Sequence, residues 1–479
     1  MHSVRLLDLH PFYESQVIVN KASFSTLALR PAMLQNLDSL GYHQMTVIQA
    51  QSLPAILDGR DLIAQAKTGS GKTAAFGIGI LHHLNPSYFA VQALVLCPTR
   101  ELADQVAKEL RRLARAIDNI KILSLCGGVP MGPQIGSLEH GAHIVVGTPG
   151  RIQDHLSRGS LNLKTISTLV LDEADRMVDM GFYDEIRYIV DACPKRRQTL
   201  LFSATYPDSI RKDSSRFLRE PLEVKVEAQH DASRIEQRFY LIDPAERNAT
   251  VGRLLDHFRP TSTLAFCNTK IHCRELAAEL QAQGYSALAL YGELEQRERD
   301  EILLRFANQS CSVLVATDVA ARGLDISTLD AVINVDVSRD TEVHIHRIGR
   351  TGRGAEKGLA LSLAAQNEKK WVTFIEEYQG GKVAWHDLAE LTPSNEGPLL
   401  PPMITLCIAG GKKDKLRPGD LLGALTGDAG IAGTHVGKIS VFENFTYVAL
   451  HRSIAEQAIR KLSRSNIKGK SFKMRFVGE

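Results

Sequence analysis

Along this chain, short and almost wholly apolar runs alternate with longer stretches of helical pattern. The runs "ALVLC" (93–97), "HIVVG" (143–147), "TLVLD" (168–172) and "TLLF" (199–202) read as strands buried on both faces of a parallel sheet. A less regular stretch from residue 206 predicts a short helix and a strand. A second series then begins with "RFYLI" (238–242), "TLAFC" (263–267), "ALALY" (287–291), "SVLVA" (312–316), "AVINV" (331–335) and "LALSL" (359–363). Strands alternating with helices predict two α/β domains. The Pro-rich "LTPSNEGPLLPP" (391–402) reads as a linker, and the pattern changes beyond it. "MITLCIA" (403–409) alternates as a strand, and "RPGDLLGAL" (417–425) starts a helix at Pro418. "VGKISVF" and "FTYVAL" flank a Glu443-Asn444 turn. "SIAEQAIRKL" opens with a Ser453/Glu456 capping box, and "SFKMRFV" (471–477) closes with a strand. This βαββαβ order is the ferredoxin-like plan. The expected organisation is an N-terminal tail (1–21), an α/β domain (22–227), a linker (228–235), a second α/β domain (236–385), a linker (386–402) and a small α+β domain (403–479).

Composition changes this picture little: 44% hydrophobic and 23% charged residues suit a folded, non-membrane protein, and no 18-residue apolar run occurs. The seven cysteines form no CxxC pair, as expected of small buried residues in a reducing cytoplasm, with no structural metal. Charge is more telling. Residues 401–479 hold 13 Lys and Arg against 6 Asp and Glu, a net of +7, which leaves the first 400 residues at −4 (44 against 48). A basic end on a slightly acidic body suggests a polyanionic partner.

"AKTGSGKT", Ala66 to Thr73, follows an apolar run and matches the phosphate-binding loop, with Ala66 in place of the first Gly. Gly69 and Gly71 let backbone N–H groups turn towards phosphate oxygens. Lys72 would reach the β- and γ-phosphates, and Thr73 would ligate Mg²⁺. "VLDEAD" places Asp172 at a strand end, suited to the metal shell, with Glu173 beside it to orient a water. In "HRIGRTGRG" (346–354), Arg347, Arg350 and Arg353 recur every three residues, so on a helix two or three would share a face and meet the charge of a transferring phosphoryl group.

With "PTRELA" (98–103), "GG" (127–128), "TPGR" (148–151), "SAT" (203–205), "AFCNTK" (265–270), "YGELEQRER" (291–299) and "ATDVAARGLDI" (316–326), these motifs resemble the DEAD-box ATP-dependent RNA helicases over roughly residues 24–370. The resemblance implies two tandem RecA-like domains using ATP and Mg²⁺. Phe24 and Gln49 would read adenine, the latter within "GYHQMTVIQ", where Met45 stands in place of the family's common Pro. Ala66, Lys67, Thr68, Gly69, Ser70, Gly71, Lys72 and Thr73 would hold the phosphates, and Asp325 the ribose. Arg350 and Arg353 would approach the γ-phosphate. Asp175, Ser203, Thr205 and His346 would couple the ATP site to RNA. Pro98, Thr99, Arg100, Gly127, Gly128, Thr148, Pro149, Gly150 and Arg151 would line an RNA track. Asn268, Gly292, Gln296, Arg299, Thr317 and Gly323 would continue it.

The last domain resembles RNA-recognition modules, with Phe445 and Tyr447 at the stacking positions, Val448 and Leu450 in the core, and Thr405 where a third ring would stand. Its basic residues, Lys412, Lys413, Lys415, Arg417, Arg464, Lys468, Lys470, Lys473 and Arg475, are expected to supply most of the affinity. Helicase core plus such a domain is similar to the DbpA subgroup of bacterial DEAD-box proteins. That likeness implies anchoring on a 23S ribosomal RNA hairpin during assembly of the 50S subunit, by a cytoplasmic and monomeric enzyme. A general RNA remodeller with a non-specific tail, an ATP-gated RNA clamp and a DNA helicase are the alternatives.

Overall fold

The expected apolar runs form the strands of two seven-stranded parallel sheets. The structure, a computed structural model, describes residues 22–66, 69–205, 216–226, 235–321, 329–352, 357–464 and 466–478. The chain divides into two compact units, Met1–Gln229 and His230–Glu479.

In the first unit, β1 (Leu62–Gln65), β2 (Ala93–Leu96), β3 (Ile122–Leu125), β4 (Ile144–Gly147), β5 (Thr168–Asp172), β6 (Gln198–Ser203) and β7 (Leu222–Lys225) lie in the order β3-β4-β2-β5-β6-β1-β7. The central strands are apolar at every step because each face has its own core. Val95, Val170 and Leu200 pack with Phe76 and Leu110 on one side. Leu94, Leu169 and Leu201 pack with Met177 and Ile189 on the other. β3 did not stand out in the sequence, since as an edge strand it leaves Leu123 and Ser124 half-buried.

The second unit repeats the plan with β8 (Ile235–Leu241), β9 (Thr263–Cys267), β10 (Ala287–Leu290), β11 (Val313–Thr317), β12 (Ala331–Asn334), β13 (Gly358–Ala364) and β14 (Trp385–His386), ordered β10-β11-β9-β12-β13-β8-β14. The strand β8 begins at Ile235, the last residue of the expected first linker.

The same unit holds the C-terminal domain, an antiparallel sheet of β15 (Met403–Ile408), β16 (Val436–Val441), β17 (Thr446–His451) and β18 (Met474–Phe476), ordered β16-β17-β15-β18. The helices Pro418–Gly423 and Ala455–Leu462 close one face over Leu406, Val448, Leu450 and Phe476. The βαββαβ order is as expected, with one local correction. The last helix has no Ser453/Glu456 capping box, because Arg452–Ile454 form a 3-10 turn capped by the His451 side chain and the helix proper begins at Ala455.

Residues 386–402, expected as a linker, are pinned to the second α/β domain. Arg253 donates to the Leu388 carbonyl (2.7 Å), Asp256 accepts from the Ser394 amide (2.7 Å), and Arg259 donates to the Gly397 carbonyl (2.9 Å). The pinning continues into the last domain: Thr405, fully buried, bonds Ser310 (2.7 Å) and receives Asn308 Nδ2 (3.2 Å).

Candidate functional site

Apart from the segment of Phe24 and Gln49, which precedes β1, the motifs of the first unit sit at the carboxyl ends of strands, where open α/β sheets bind ligands. The phosphate loop follows β1, and Asp172 ends β5. Ser203 ends β6, Thr99 and Arg100 follow β2, Gly127 and Gly128 follow β3, and Thr148 to Arg151 follow β4. Gly69 and Gly71 take left-handed φ values of 81° and 95°, and a side chain at Gly71 would lie 2.5 Å from Gln49 Nε2. Gln49 is buried. Its Oε1 accepts from the Thr46 amide (2.9 Å) and its Nε2 donates to the Gly71 carbonyl (3.1 Å), which ties the segment expected to read adenine to the loop while leaving one donor and one acceptor position on the carboxamide. Phe24 is a buried core residue, edge-on to Tyr42 at 6.4 Å. Lys67 and Thr68 lie outside the described residues.

Lys72 is buried and donates to the Ala66 carbonyl at 2.9 Å. Asp172 Oδ1 is buried without a hydrogen-bond partner. Burial pushes the Asp172 carboxyl up to about 7; Glu173 adds to the rise, and Lys72 opposes it. An orphaned acidic oxygen beside a phosphate loop is the donor type that Mg²⁺ takes. Glu173 sits at φ 53°, a strained left-handed conformation for a non-glycine residue, and is paired with buried Arg176 at 2.5 Å. Sequence reasoning missed Arg176, although its i,i+3 spacing from Glu173 was the available signal.

Asp175 and the end of β6 are brought together as expected. Asp175 Oδ2 accepts from both the amide and hydroxyl of Thr205 (2.9 Å each), and its amide donates to Ser203 Oγ (3.2 Å). Burial raises the Asp175 pKa, but the Thr205 and Ser203 hydrogen bonds outweigh it and leave it below the ordinary value. A β-carbon on Gly128 would fall within 1.5 Å of Arg100 Nη1, so the glycine pair leaves room for that guanidinium. Arg151 donates to the Val129 carbonyl (3.0 Å) and Gln134 Oε1 (2.8 Å). Thr99 Oγ1 caps the helix Arg100–Leu113, and Pro149 is the first residue of the helix Pro149–Ser157.

The second unit corrects one expectation. Arg347 and Arg350 do not share a helix face, because the helix Thr341–Ile348 ends before the second of them. Arg347 is 2% exposed and forks onto Asp318 through Nε and Nη2 (2.7 Å each). It also donates to Asn268 Oδ1 (3.0 Å) and the Asp336 carbonyl (2.6 Å), so it braces the lobe. Arg350 is buried, whereas Gly323, Asp325 and Arg353 lie outside the described residues. Arg299 is also turned inward, donating to the Ala320 carbonyl at 2.8 Å, while Gln296, at the start of its helix, bonds Asp300. Gly292 is exposed after β10, and Thr317 ends β11 half-buried. His346, in the last turn of its helix, is half-buried.

In the C-terminal domain, Val448 and Leu450 are core residues as expected, and Phe445 and Tyr447 lie outside that core. Phe445 lies in the turn before β17, and the ring packed edge-on against Tyr447 is Phe442, at 5.6 Å. Thr405 and Cys407, on the sheet face turned from the helices, are buried, and Thr405 meets Asn308 and Ser310. The lysines instead gather where two loops meet. Lys468 donates to the Lys415 carbonyl (2.9 Å), Lys470 pairs with Asp414 (3.6 Å) and Lys412 with Glu443 (3.8 Å). Lys413, Arg417, Arg464, Lys473 and Arg475 are exposed.

Sequence families agree with this division. The DEAD/DEAH box helicase family matches residues 46–213, the helicase conserved C-terminal domain residues 246–355, and the DbpA RNA binding domain residues 405–476. The ATP-dependent RNA helicase DbpA of Escherichia coli is 51% identical over 95% of this chain and 99% of its own. The chain belongs to the DEAD-box ATP-dependent RNA helicases, and is of the DbpA type. It is thus an RNA helicase and an ATPase. The DEAD-box helicase CshA of Bacillus cereus is 42% identical over 78% of this chain and 71% of its own. Saccharomyces cerevisiae Dbp5 bound to RNA and ADP BeF3 superposes with a TM-score of 0.70 at 31% identity, covering 76% of this chain and 95% of that one. Among the described residues, no helix is long and apolar enough to cross a membrane.

Proposed function

We propose that this helicase couples RNA-stimulated hydrolysis of Mg²⁺·ATP to the local opening of RNA duplexes, and that its last domain anchors it on a 23S ribosomal RNA hairpin in assembling 50S subunits. The observation that carries the ATP half is the unpaired, buried Asp172 oxygen beside the Lys72 loop. Thr73 and Asp172 would hold Mg²⁺, partly through water, and the ion would neutralise β- and γ-phosphate charge. Lys72 would leave the Ala66 carbonyl for the phosphates, and Gln49 would present its remaining donor and acceptor to adenine. Glu173, fixed by Arg176, would orient the attacking water, and Arg350 and Arg353 would meet the phosphoryl charge. Asp175, tied to Ser203 and Thr205, would report nucleotide to RNA.

Support for the ribosomal target comes from the DbpA-type domain and its converging lysines, an arrangement suited to a folded RNA backbone. The enzyme would act as a monomer in the cytoplasm. A general remodeller with a non-specific tail is the second reading. It is favoured by the burial of Thr405 and Cys407, which removes part of the usual stacking face. Comparing ATPase stimulation by a 23S fragment carrying the hairpin and by random RNA of equal length, at one salt concentration, separates the two. The proposal expects half-maximal stimulation at least about tenfold lower in concentration for the ribosomal fragment, in line with specific over non-specific binding; equal curves select the general remodeller.

A further inference from the structure

The carboxyl ends of β9 and β12 carry a polar cluster in which His272 and Asp336 have none of the proposed roles. Asp336, just after β12, accepts through Oδ2 from the Asn268 amide (2.8 Å) and faces His272 Nδ1 across 2.9 Å. The other ring nitrogen, His272 Nε2, faces Asn248 Oδ1 at 2.8 Å. That amide's orientation is set independently, because Asn248 Nδ2 donates to Glu279 Oε1 at 2.9 Å. Both neighbours of the imidazole are therefore acceptors. A neutral ring satisfies one of them, whereas an imidazolium satisfies both.

Cys267, His272 and Asp336 bring potential metal-binding atoms within 4.8 Å of one another. However, the Arg247 guanidinium lies 3.5 Å from Asp336 Oδ1, a fixed positive charge beside the place a cation would occupy. The cluster reads as a hydrogen-bonded charge network instead. Its output is Asn268: the backbone is held by Asp336, and the side-chain oxygen receives Arg347, which forks onto Asp318.

We propose that His272, as an imidazolium held between Asp336 and Asn248, is a positioning residue that fixes Asn268 and, through it, the setting of Arg347. This inference rests on the reading of Asn268 as part of the RNA track. The charged and titratable groups around the ring are Asp336 after β12, Arg247 on the helix Arg247–Phe258, Glu275 and Glu279 on the ring's own helix, and Cys267 at the end of β9. Chief among them, the Asp336 hydrogen bond holds the His272 pKa above its ordinary value. The sign follows: the imidazolium is complete at low pH, and the clamp is lost as pH rises through that elevated pKa.

The test uses the full chain, with His272→Gln and His272→Lys beside the wild type. ATPase is measured against RNA concentration from pH 6.0 to 8.5, and nitrogen NMR of the histidines reads protonation directly. In the wild type, NMR is expected to show both His272 nitrogens protonated at pH 6. The RNA concentration for half-maximal stimulation should rise roughly fivefold across the range, the net effect of one lost hydrogen bond. His272→Gln should be high and flat. His272→Lys, charged throughout, should be low and flat. A His272→Gln profile that follows the wild type overturns the positioning role alone, as does a neutral His272 at pH 6. No stimulation of the wild type by RNA at any pH overturns the RNA-track reading, and the positioning role with it, whatever NMR shows.

Discussion

The two parallel sheets present acidic groups at equivalent places and treat them in opposite ways. At the end of β5, Asp172 is buried with one oxygen unpaired and its carboxyl pushed up to about 7, chiefly by burial. In the second sheet, Asp318 after β11 takes both forks of Arg347. Asp336 after β12 is met by His272, Asn268 and Arg247, contacts that outweigh its burial and hold its pKa below the ordinary value. The first arrangement is unfinished and gains from an arriving cation and phosphates. The second is internally complete and resists change. A motor that must bind, hydrolyse and release nucleotide needs the first kind of site; a surface that must keep its shape needs the second.

The largest predicted effect breaks the complete side. Arg347→Met removes the partner of a mostly buried carboxylate, so the second unit should lose about 3 kcal/mol, read as a lower melting temperature. The pair Arg112–Glu109 is the control: its arginine is exposed and Glu109 keeps the Tyr42 hydroxyl as a partner, so Arg112→Met should cost no more than about 1 kcal/mol.

His344 is the exception on that side: fully buried, with neither ring nitrogen bonded and its pKa pushed down to about 3 by burial and Arg347. A depressed histidine pKa contributes stability above about pH 6.5, and that stability is lost as pH falls. Between pH 7.5 and 5 the wild type should therefore lose about 2 kcal/mol through this residue. In His344→Phe that loss should vanish, whatever the packing change costs at neutral pH; denaturant melts at the two pH values measure it.

The smallest effect sharpens the unfinished side. With Asp172 protonated below about 7, a metal ion competes with the proton, so apparent Mg²⁺·ATP affinity should fall about fivefold from pH 7 to pH 6. Asp172→Asn should flatten that dependence while binding weakly throughout, as titration with a fluorescent nucleotide would show.

Much of the first site was legible because its residues are consecutive in short motifs: a loop after one strand and a tetrapeptide ending another place themselves once the strands are recognised. What stayed hidden was long-range or depended on where a helix stops. Three arginines at a spacing of three suggested a common face, but the helix ends at Ile348, and Arg347 turns inward to Asp318, 29 positions away. His272 and Asp336 are 64 positions apart and belong to no pattern that spacing can reveal. Thr405 looked like a missing stacking ring. It is a buried contact with Ser310 and Asn308, a role no strand alternation encodes. The Ser453 capping box was plausible locally, and lost to a 3-10 turn capped by His451.

The most direct test of the unfinished site is Glu173→Gln, which keeps the shape of the residue and removes its charge. With saturating RNA and ATP, single-turnover hydrolysis should fall at least about a hundredfold, the usual worth of a positioned general base. Equilibrium binding of ATP and RNA should stay within about threefold of wild type, since the variant leaves the phosphate loop and track intact. Hydrolysis at the wild-type rate in that variant would contradict the account.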